Sequence, residues 1–260
     1  MRVEAPCRVD LAGGTLDIWP LGLLHRGAVT VNAAIQVMVR LEVDSEAPAG
    51  EAWHAVGEDD WRVLTAADAT SDLSAAVVFA LRREGGVRVR VRSQPPLGSG
   101  LGGSSAYVVA LARGVSAFGV GQLGDDRLVA LGRDLEAVVL RTPTGVQDHW
   151  AAVRGGVLAL HHEPGRMTVE QMAVDLAWVG EHLTVFFTGI THHSGMVNWK
   201  VIRRRLEGDA ETTDALEAIA GAARCCRQAL IDGDEATVGT SVADEWAARK
   251  RLAPEVCPPE

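Results

Sequence analysis

Lysine is nearly absent from this chain: of 25 basic residues only Lys200 and Lys250 are lysine. Together with abundant alanine, glycine, valine and arginine, this points to a GC-rich genome in which arginine is the default cation. An arginine therefore signifies a role only through its neighbours in sequence. Cysteine is scarce too. Cys7, Cys225, Cys226 and Cys257 show no Cys-x-x-Cys spacing and no disulfide framework, as expected of a reducing cytoplasm. No apolar run approaches the about 18 residues that span a bilayer. The N-terminus carries Glu4 and Asp10 where a signal peptide needs an uninterrupted apolar stretch. Positive charge is also lacking, the formal net charge being −9. A sequence-independent nucleic-acid binder needs many Lys and Arg to displace counterions, so that class is disfavoured. Small anionic ligands remain allowed, because a phosphate site is a local arrangement of donors.

What is present describes a globular protein. With 260 residues, 47% hydrophobic and 23% charged, the chain makes one large or two small domains and needs no disulfide or metal staple. Short β-type runs are predicted at Arg2–Ala5 and Arg8–Leu11, and a long one at Ala28–Val43, with a turn and short irregular helix over Ala12–Gly27. Trp53–Ala55 and Trp61–Leu64 read as a hairpin, and Asp72–Arg83 as an amphipathic helix capped by its Asp. Val87–Arg92 alternates valine with arginine, which reads as a strand with a solvated basic face. Helices follow to about Phe118, at Asp125–Arg141 and at Gln147–Val153, then strands at Val157–His161, Met167–Met172 and Leu183–Thr188. From Ser194 onward the pattern is helical: Ser194–Leu206, Glu211–Ile231 and Glu235–Leu252. A boundary is expected near residue 160, after Gly155-Gly156, dividing the chain into 1–160 and 161–260.

The segment from Pro95 to Ala106, Pro-Pro-Leu-Gly-Ser-Gly-Leu-Gly-Gly-Ser-Ser-Ala, joins the valine-arginine strand to a helix. Glycines let a backbone approach a ligand closely, and a helix start presents unpaired N–H groups to an anion. Ser104 and Ser105 can cap the helix or offer hydroxyls to phosphate or Mg²⁺. The alternative is an ordinary Ser-capped helix after a Gly-rich turn. It is not a Walker loop, since no Gly-Lys-[Ser/Thr] follows, and it is a poor dinucleotide fingerprint.

This loop resembles the second signature motif of the GHMP kinases, the superfamily of galactokinase, homoserine kinase and mevalonate kinase, in the form found in its fucokinase and heptose-phosphate kinase branch. Three further segments share the resemblance. Arg8-Val9-Asp10-Leu11-Ala12-Gly13-Gly14-Thr15-Leu16-Asp17 is similar to that branch's first motif. Thr144-Gly145-Val146-Gln147-Asp148-His149, with Gly155-Gly156 behind it, is similar to Gly-x-x-Asp-Gln…Gly-Gly. Phe187-Thr188-Gly189-Ile190-Thr191 with Ser194-Gly195 is similar to the Tyr-Thr-Gly-x-x-Arg-x-Ser strand end.

The resemblance implies an α+β, two-domain fold, with a ribosomal-protein-like N-terminal domain and a ferredoxin-like C-terminal one. It implies an ATP- and Mg²⁺-dependent kinase acting on a hydroxyl of a sugar or sugar phosphate, the anomeric one favoured. A non-catalytic ATP- or sugar-binding regulatory protein is the alternative. Pro96, Gly98, Ser99, Gly100, Leu101, Gly102, Gly103, Ser104 and Ser105 match the ATP cradle, and Ser105 with Glu136 the metal side. Asp148 matches the catalytic aspartate and Arg8 the arginine beside it. Asp17, Gly14, Gly145 and His149 fall to the substrate. Three departures stand out: Leu16 replaces a Ser/Thr, His149 the common Gln, and His192 an Arg. The pairs His161-His162 and His192-His193 make poor chelates, because neighbours on a strand point to opposite faces. Arg203-Arg204-Arg205 reads as a solvated helix face, and Cys225-Cys226 as helix packing. The family's third motif, a second Gly-rich loop, has no counterpart after Gly195, so the chain reads as truncated or as lacking that loop. A clipped domain leaves a sheet edge open, from which a homodimer is expected; no membrane or nucleic-acid partner is.

Overall fold

The computed structural model describes residues 1–58, 60–82, 85–189 and 195–257, without the side chains of Gly195 and Met196. The architecture is mixed α+β. The strands are β1 (Arg2–Ala12), β2 (Ala28–Asp44), β3 (Ala52–Val56), β4 (Trp61–Val63), β5 (Val87–Ser93), β6 (Val157–Glu163) and β7 (Arg166–Gln171). The helices are α1 (Leu73–Leu81), α2 (Gly103–Phe118), α3 (Asp125–Leu140), α4 (Gln147–Arg154), α5 (Leu176–His182), α6 (Gly195–Leu206), α7 (Ala210–Asp232) and α8 (Glu235–Leu252). By packing the chain forms two units. Unit 1 is Met1–Arg8, Ile35–Arg141 and Asp148–Arg154; unit 2 is Val9–Ala34, Thr142–Gln147 and Gly155–Glu260.

In unit 1 the strand order is β4-β3-β5-β2. The expected hairpin forms, with Trp53 opposite Val63 and Ala55 opposite Trp61. Strand β5 runs antiparallel to β2, pairing Val89 with Val43 and Val91 with Leu41. Its valines enter the core as the alternation demands, packing under the nearly all-buried stretch Ala106–Ala112 of α2. Two of its arginines are ion-paired and the third stacks on an aromatic ring. Arg88 pairs with Asp44 and Glu46, Arg92 with Glu42 and Glu58, and Arg90 stacks on Trp61. Asp72 caps α1, accepting from Ala75 N at 2.9 Å.

Unit 2 has the order β2-β6-β7, antiparallel throughout, with Thr30 opposite Leu160 and His161 opposite Thr168. Its helices bury two apolar clusters, one around Leu16, Leu21, Leu216 and Ile219, the other around Val29, Val31 and Cys226. Leu16 is therefore a core residue, which accounts for the loss of the hydroxyl at that position. His161 contacts Glu170 and His162 contacts Thr30, so the two rings have different partners, as strand geometry requires.

Four expectations are corrected. The two N-terminal runs are one continuous strand, β1. Leu183–Thr188 has no regular structure. Its β-rich composition describes residues that fit a pleated surface, but a strand also needs a ladder partner, and among the described residues none pairs with it; Phe186 is 84% exposed. Just before it, α5 was not anticipated, although Asp175 caps it through Ala177 N. Arg203-Arg204-Arg205 is only in part a solvated face: Arg203 is exposed, while Arg204 holds Asp209 and Arg205 donates to His25 Nε2 at 3.2 Å. Of the cysteine pair, Cys226 is buried and Cys225 exposed. The end of the fourth segment, Ile190 to Ser194 with His192 and His193, lies outside the described residues.

Candidate active site

In unit 1, β5 delivers the chain into the loop and α2 carries it away. Gly98, Gly100 and Gly102 adopt left-handed φ of 70°, 73° and 69°, which a side chain resists. Gly102 starts α2, its carbonyl accepting from Ala106 N at 3.0 Å. The first amides of a helix have no partner within it, so the loop ends on a set of donors suited to an anion. Arg8 ties this loop down twice. Its amide donates to Leu101 O at 3.0 Å and its Nη1 to Gly100 O at 2.6 Å.

The rest of the Arg8 guanidinium grips Asp148, at the start of α4. Nε donates to Asp148 Oδ1 at 2.7 Å, and Nη2 lies 2.6 Å from the same oxygen. The other oxygen lies against Gly102, where a Cβ would come within 3.1 Å of Asp148 Oδ2. One oxygen is thus held and the other faces the loop. A carboxylate so placed can accept a proton beside an anion cradle. Burial pushes the thiol of Cys7, next to Arg8, up to about 11, which disfavours its reactive thiolate form.

Ser105, buried in the first turn of α2, donates through Oγ to Glu136 Oε2 at 2.7 Å. Glu136 on α3 is 1% exposed. Burial pushes its carboxyl up, but His149 and the hydroxyls of Ser104 and Ser105 favour the charged form and the net displacement is down. Its Oε1 is buried with no hydrogen bond among the described residues. These residues fit Mg²⁺: two oxygen donors in contact, one a charged carboxylate with an orphaned oxygen. No cluster of three or more His, Cys, Asp or Glu suited to a metal occurs among the described residues. A small protein ligand set is usual for Mg²⁺, which keeps waters and phosphate oxygens.

His149 was expected on the substrate side. The structure buries its ring completely and puts Nε2 3.1 Å from Glu136 Oε2.

In unit 2 the first-motif turn Gly13–Asp17 is tightly packed. Asp17 Oδ2 accepts from Val146 N at 2.7 Å and Gln147 N at 3.0 Å, satisfying amides at the start of α4. Gly145 is glycine because a side chain would collide with Asp17 Oδ2, and Gly14 because one would collide with Asp10 Oδ2. Thr15 takes φ 76°, a strained value for a β-branched residue.

A residue absent from the sequence reading holds this turn. Arg249, near the end of α8, donates to Thr15 Oγ1 at 3.1 Å, to Gly14 O at 3.2 Å and to Asp10 Oδ2 at 3.5 Å, and pairs with Glu245. Its only sequence signal is the i, i+4 spacing from Glu245, which many surface pairs share.

The profile described as GHMP kinases N terminal domain matches residues 65–156. The bifunctional fucokinase/GDP-fucose pyrophosphorylase of Arabidopsis thaliana is 25% identical over 279 residues, covering 97% of this chain and 26% of that protein. The D-glycero-alpha-D-manno-heptose 7-phosphate kinase of Campylobacter jejuni is 26% identical over 165 residues, 62% of this chain and 48% of that one. The chain thus spans about a quarter and about half of the length of these curated relatives. The crystal structure of a D-glycero-D-manno-heptose 1-phosphate kinase from Bacteriodes thetaiotaomicron shares the fold, with a TM-score of 0.70 at 20% identity, over 98% of this chain and 81% of that one. No helix among the described residues is long and apolar enough to cross a membrane.

Proposed function

We propose that the chain is a member of the GHMP kinases, whose N-terminal domain profile matches residues 65–156, and that it transfers the γ-phosphoryl group of ATP to a hydroxyl of a sugar or sugar phosphate, the anomeric hydroxyl being favoured. The observation that carries this reading is the Arg8–Asp148 pair fastened to the glycine loop. It joins a proton acceptor to a phosphate cradle, two of the parts that phosphoryl transfer asks of a protein.

In this reading the amides of Gly98–Ser105 hold the phosphates. Asp148 accepts the proton of the attacking hydroxyl as its oxygen bonds to the γ-phosphorus and the bond to the β-phosphate oxygen breaks, releasing ADP. Arg8 keeps that carboxylate charged and aimed, and offsets charge developing on the transferred group. Ser105 and Glu136 would hold Mg²⁺, which would supply neutralisation of phosphate charge. Asp17, with its neighbours Gly14 and Gly145, is assigned to the sugar, the carboxylate accepting from its hydroxyls. The fucokinase and heptose-phosphate kinase relatives favour a sugar acceptor. A division at residue 160, a cytoplasmic setting and self-association belong to the same proposal.

The test is ADP release from ATP and Mg²⁺ with a panel of sugars and sugar phosphates, alongside Asp148→Asn. The reading predicts stimulation by at least one acceptor, lost in the variant. Bound ATP with no stimulation by any acceptor would falsify it.

A further inference from the structure

We propose that His149 is a positioning residue for Glu136, and that Gly132 is glycine to make room for it. The inference rests on the kinase reading above, in which Glu136 faces the metal. Three observations converge on this pair. First, the His149 ring is fully buried, so it meets no solvent and presents no surface to a diffusible ligand. Second, His149 Nε2 and Ser105 Oγ both approach the same oxygen, Glu136 Oε2, at 3.1 and 2.7 Å, while Oε1 is left without a hydrogen bond among the described residues. The Ser105 hydrogen bond and the close approach of the imidazole, both on one oxygen, set the rotation of the carboxylate and leave the other oxygen without a hydrogen bond among the described residues. Third, Gly132 lies one turn before Glu136 on the same face of α3. Glycine weakens a helix interior relative to alanine, so its presence there needs a cause. Here a Cβ would come within 2.7 Å of His149 Cδ2, 3.1 Å of its Nε2 and 3.2 Å of Val108 Cγ1. The imidazole occupies the space that the missing side chain leaves. Where the family commonly carries glutamine after the aspartate, this chain carries a rigid ring together with the gap that accepts it.

Partners behind a metal ligand typically govern affinity by about 10–100-fold. The measurement is Mn²⁺ affinity by electron paramagnetic resonance in the presence of the non-hydrolysable β,γ-imido analogue of ATP. It is set against analogue affinity in EDTA and thermal unfolding of the same proteins. His149→Ala and Gly132→Ala are expected to weaken Mn²⁺ binding about tenfold or more, with metal-free nucleotide affinity within twofold. His149→Gln, which keeps a polar side chain of similar reach beside Glu136, is expected to stay within about threefold of the parent. Mn²⁺ affinity within twofold of the parent in both alanine variants, whatever their stability, overturns the proposal. Should His149→Ala not fold, Gly132→Ala decides alone by the same criterion. A parent protein that binds the analogue but takes up no Mn²⁺ overturns the metal assignment itself, and this inference with it.

Discussion

Each unit contains an arginine gripping buried or half-buried carboxylates, and the two grips differ in what they leave over. In unit 1 Arg8 spends its guanidinium on one oxygen of Asp148 and on a loop carbonyl, and Asp148 keeps a second oxygen facing the glycine loop. In unit 2 Arg249 is enclosed by Asp10, Glu245, the Gly14 carbonyl and the Thr15 hydroxyl. The first arrangement leaves a carboxylate oxygen toward the loop, as the proposed proton transfer requires; the second closes a turn. Ion pairing is common to both, so chemistry is recognised by the acceptor capacity that remains and by what it faces.

The contrast can be broken in order of expected effect. Asp148→Asn removes the proposed proton acceptor while keeping the shape, and turnover should fall about 10³-fold with nucleotide affinity within about threefold. An equal loss of both would assign Asp148 to binding. Arg249→Met should act on stability instead. It leaves Asp10 and Glu245 without their cation, and burial already drives the Glu245 carboxyl up against the pull of Arg249. A loss of about 3–5 kcal/mol in urea unfolding is expected. Arg249→Lys should restore little of it, since an ammonium lacks the fork that reaches hydroxyl, carbonyl and carboxylates together. A neutral Arg249→Met would mean the turn holds itself.

Acid tests unit 2 further. Burial of His162, helped by neighbouring His161, lowers its folded-state pKa to about 4. The unfolded value lies near 6.5, so the unfolded chain binds the proton first. Its contribution is present above pH about 6.5, falls away as pH drops toward 4, and is constant below. The size is about 3 kcal/mol. Urea midpoints of the parent and His162→Leu should diverge with rising pH across this window; parallel curves would remove His162 from the account. Smallest is the cap of α1. Asp72→Ala should cost about 1 kcal/mol, with the helix otherwise intact by hydrogen exchange.

The same contrast explains what the sequence disclosed. Elements with a local signature were legible: the Asp72 cap, the valine alternation of β5, and the glycine loop between a strand and a helix. Arg8 and Asp148 were legible because each sits inside a motif, although 140 residues separate them. Arg249 was not, because its partners at Gly14 and Thr15 lie 235 and 234 residues away and one more arginine in an arginine-biased helix carries no mark. His149 was visible as a departure from the family pattern, but its neighbour Gly132 is on another helix, and only packing reveals that ring and gap match. Leu183–Thr188 failed for the opposite reason: its local pattern is strand-like, and what it lacks is a pairing partner, which no local pattern records.

Phosphorus-31 magnetic resonance of a single reaction, with ATP, Mg²⁺ and an acceptor sugar, tests most directly whether unit 1 moves a phosphoryl group from ATP to an organic hydroxyl. The predicted result is a new phosphate-ester resonance that grows one-for-one with ADP and is absent with Asp148→Asn. Growth of ADP matched by inorganic phosphate alone, or an ester that forms equally with Asp148→Asn, would contradict it.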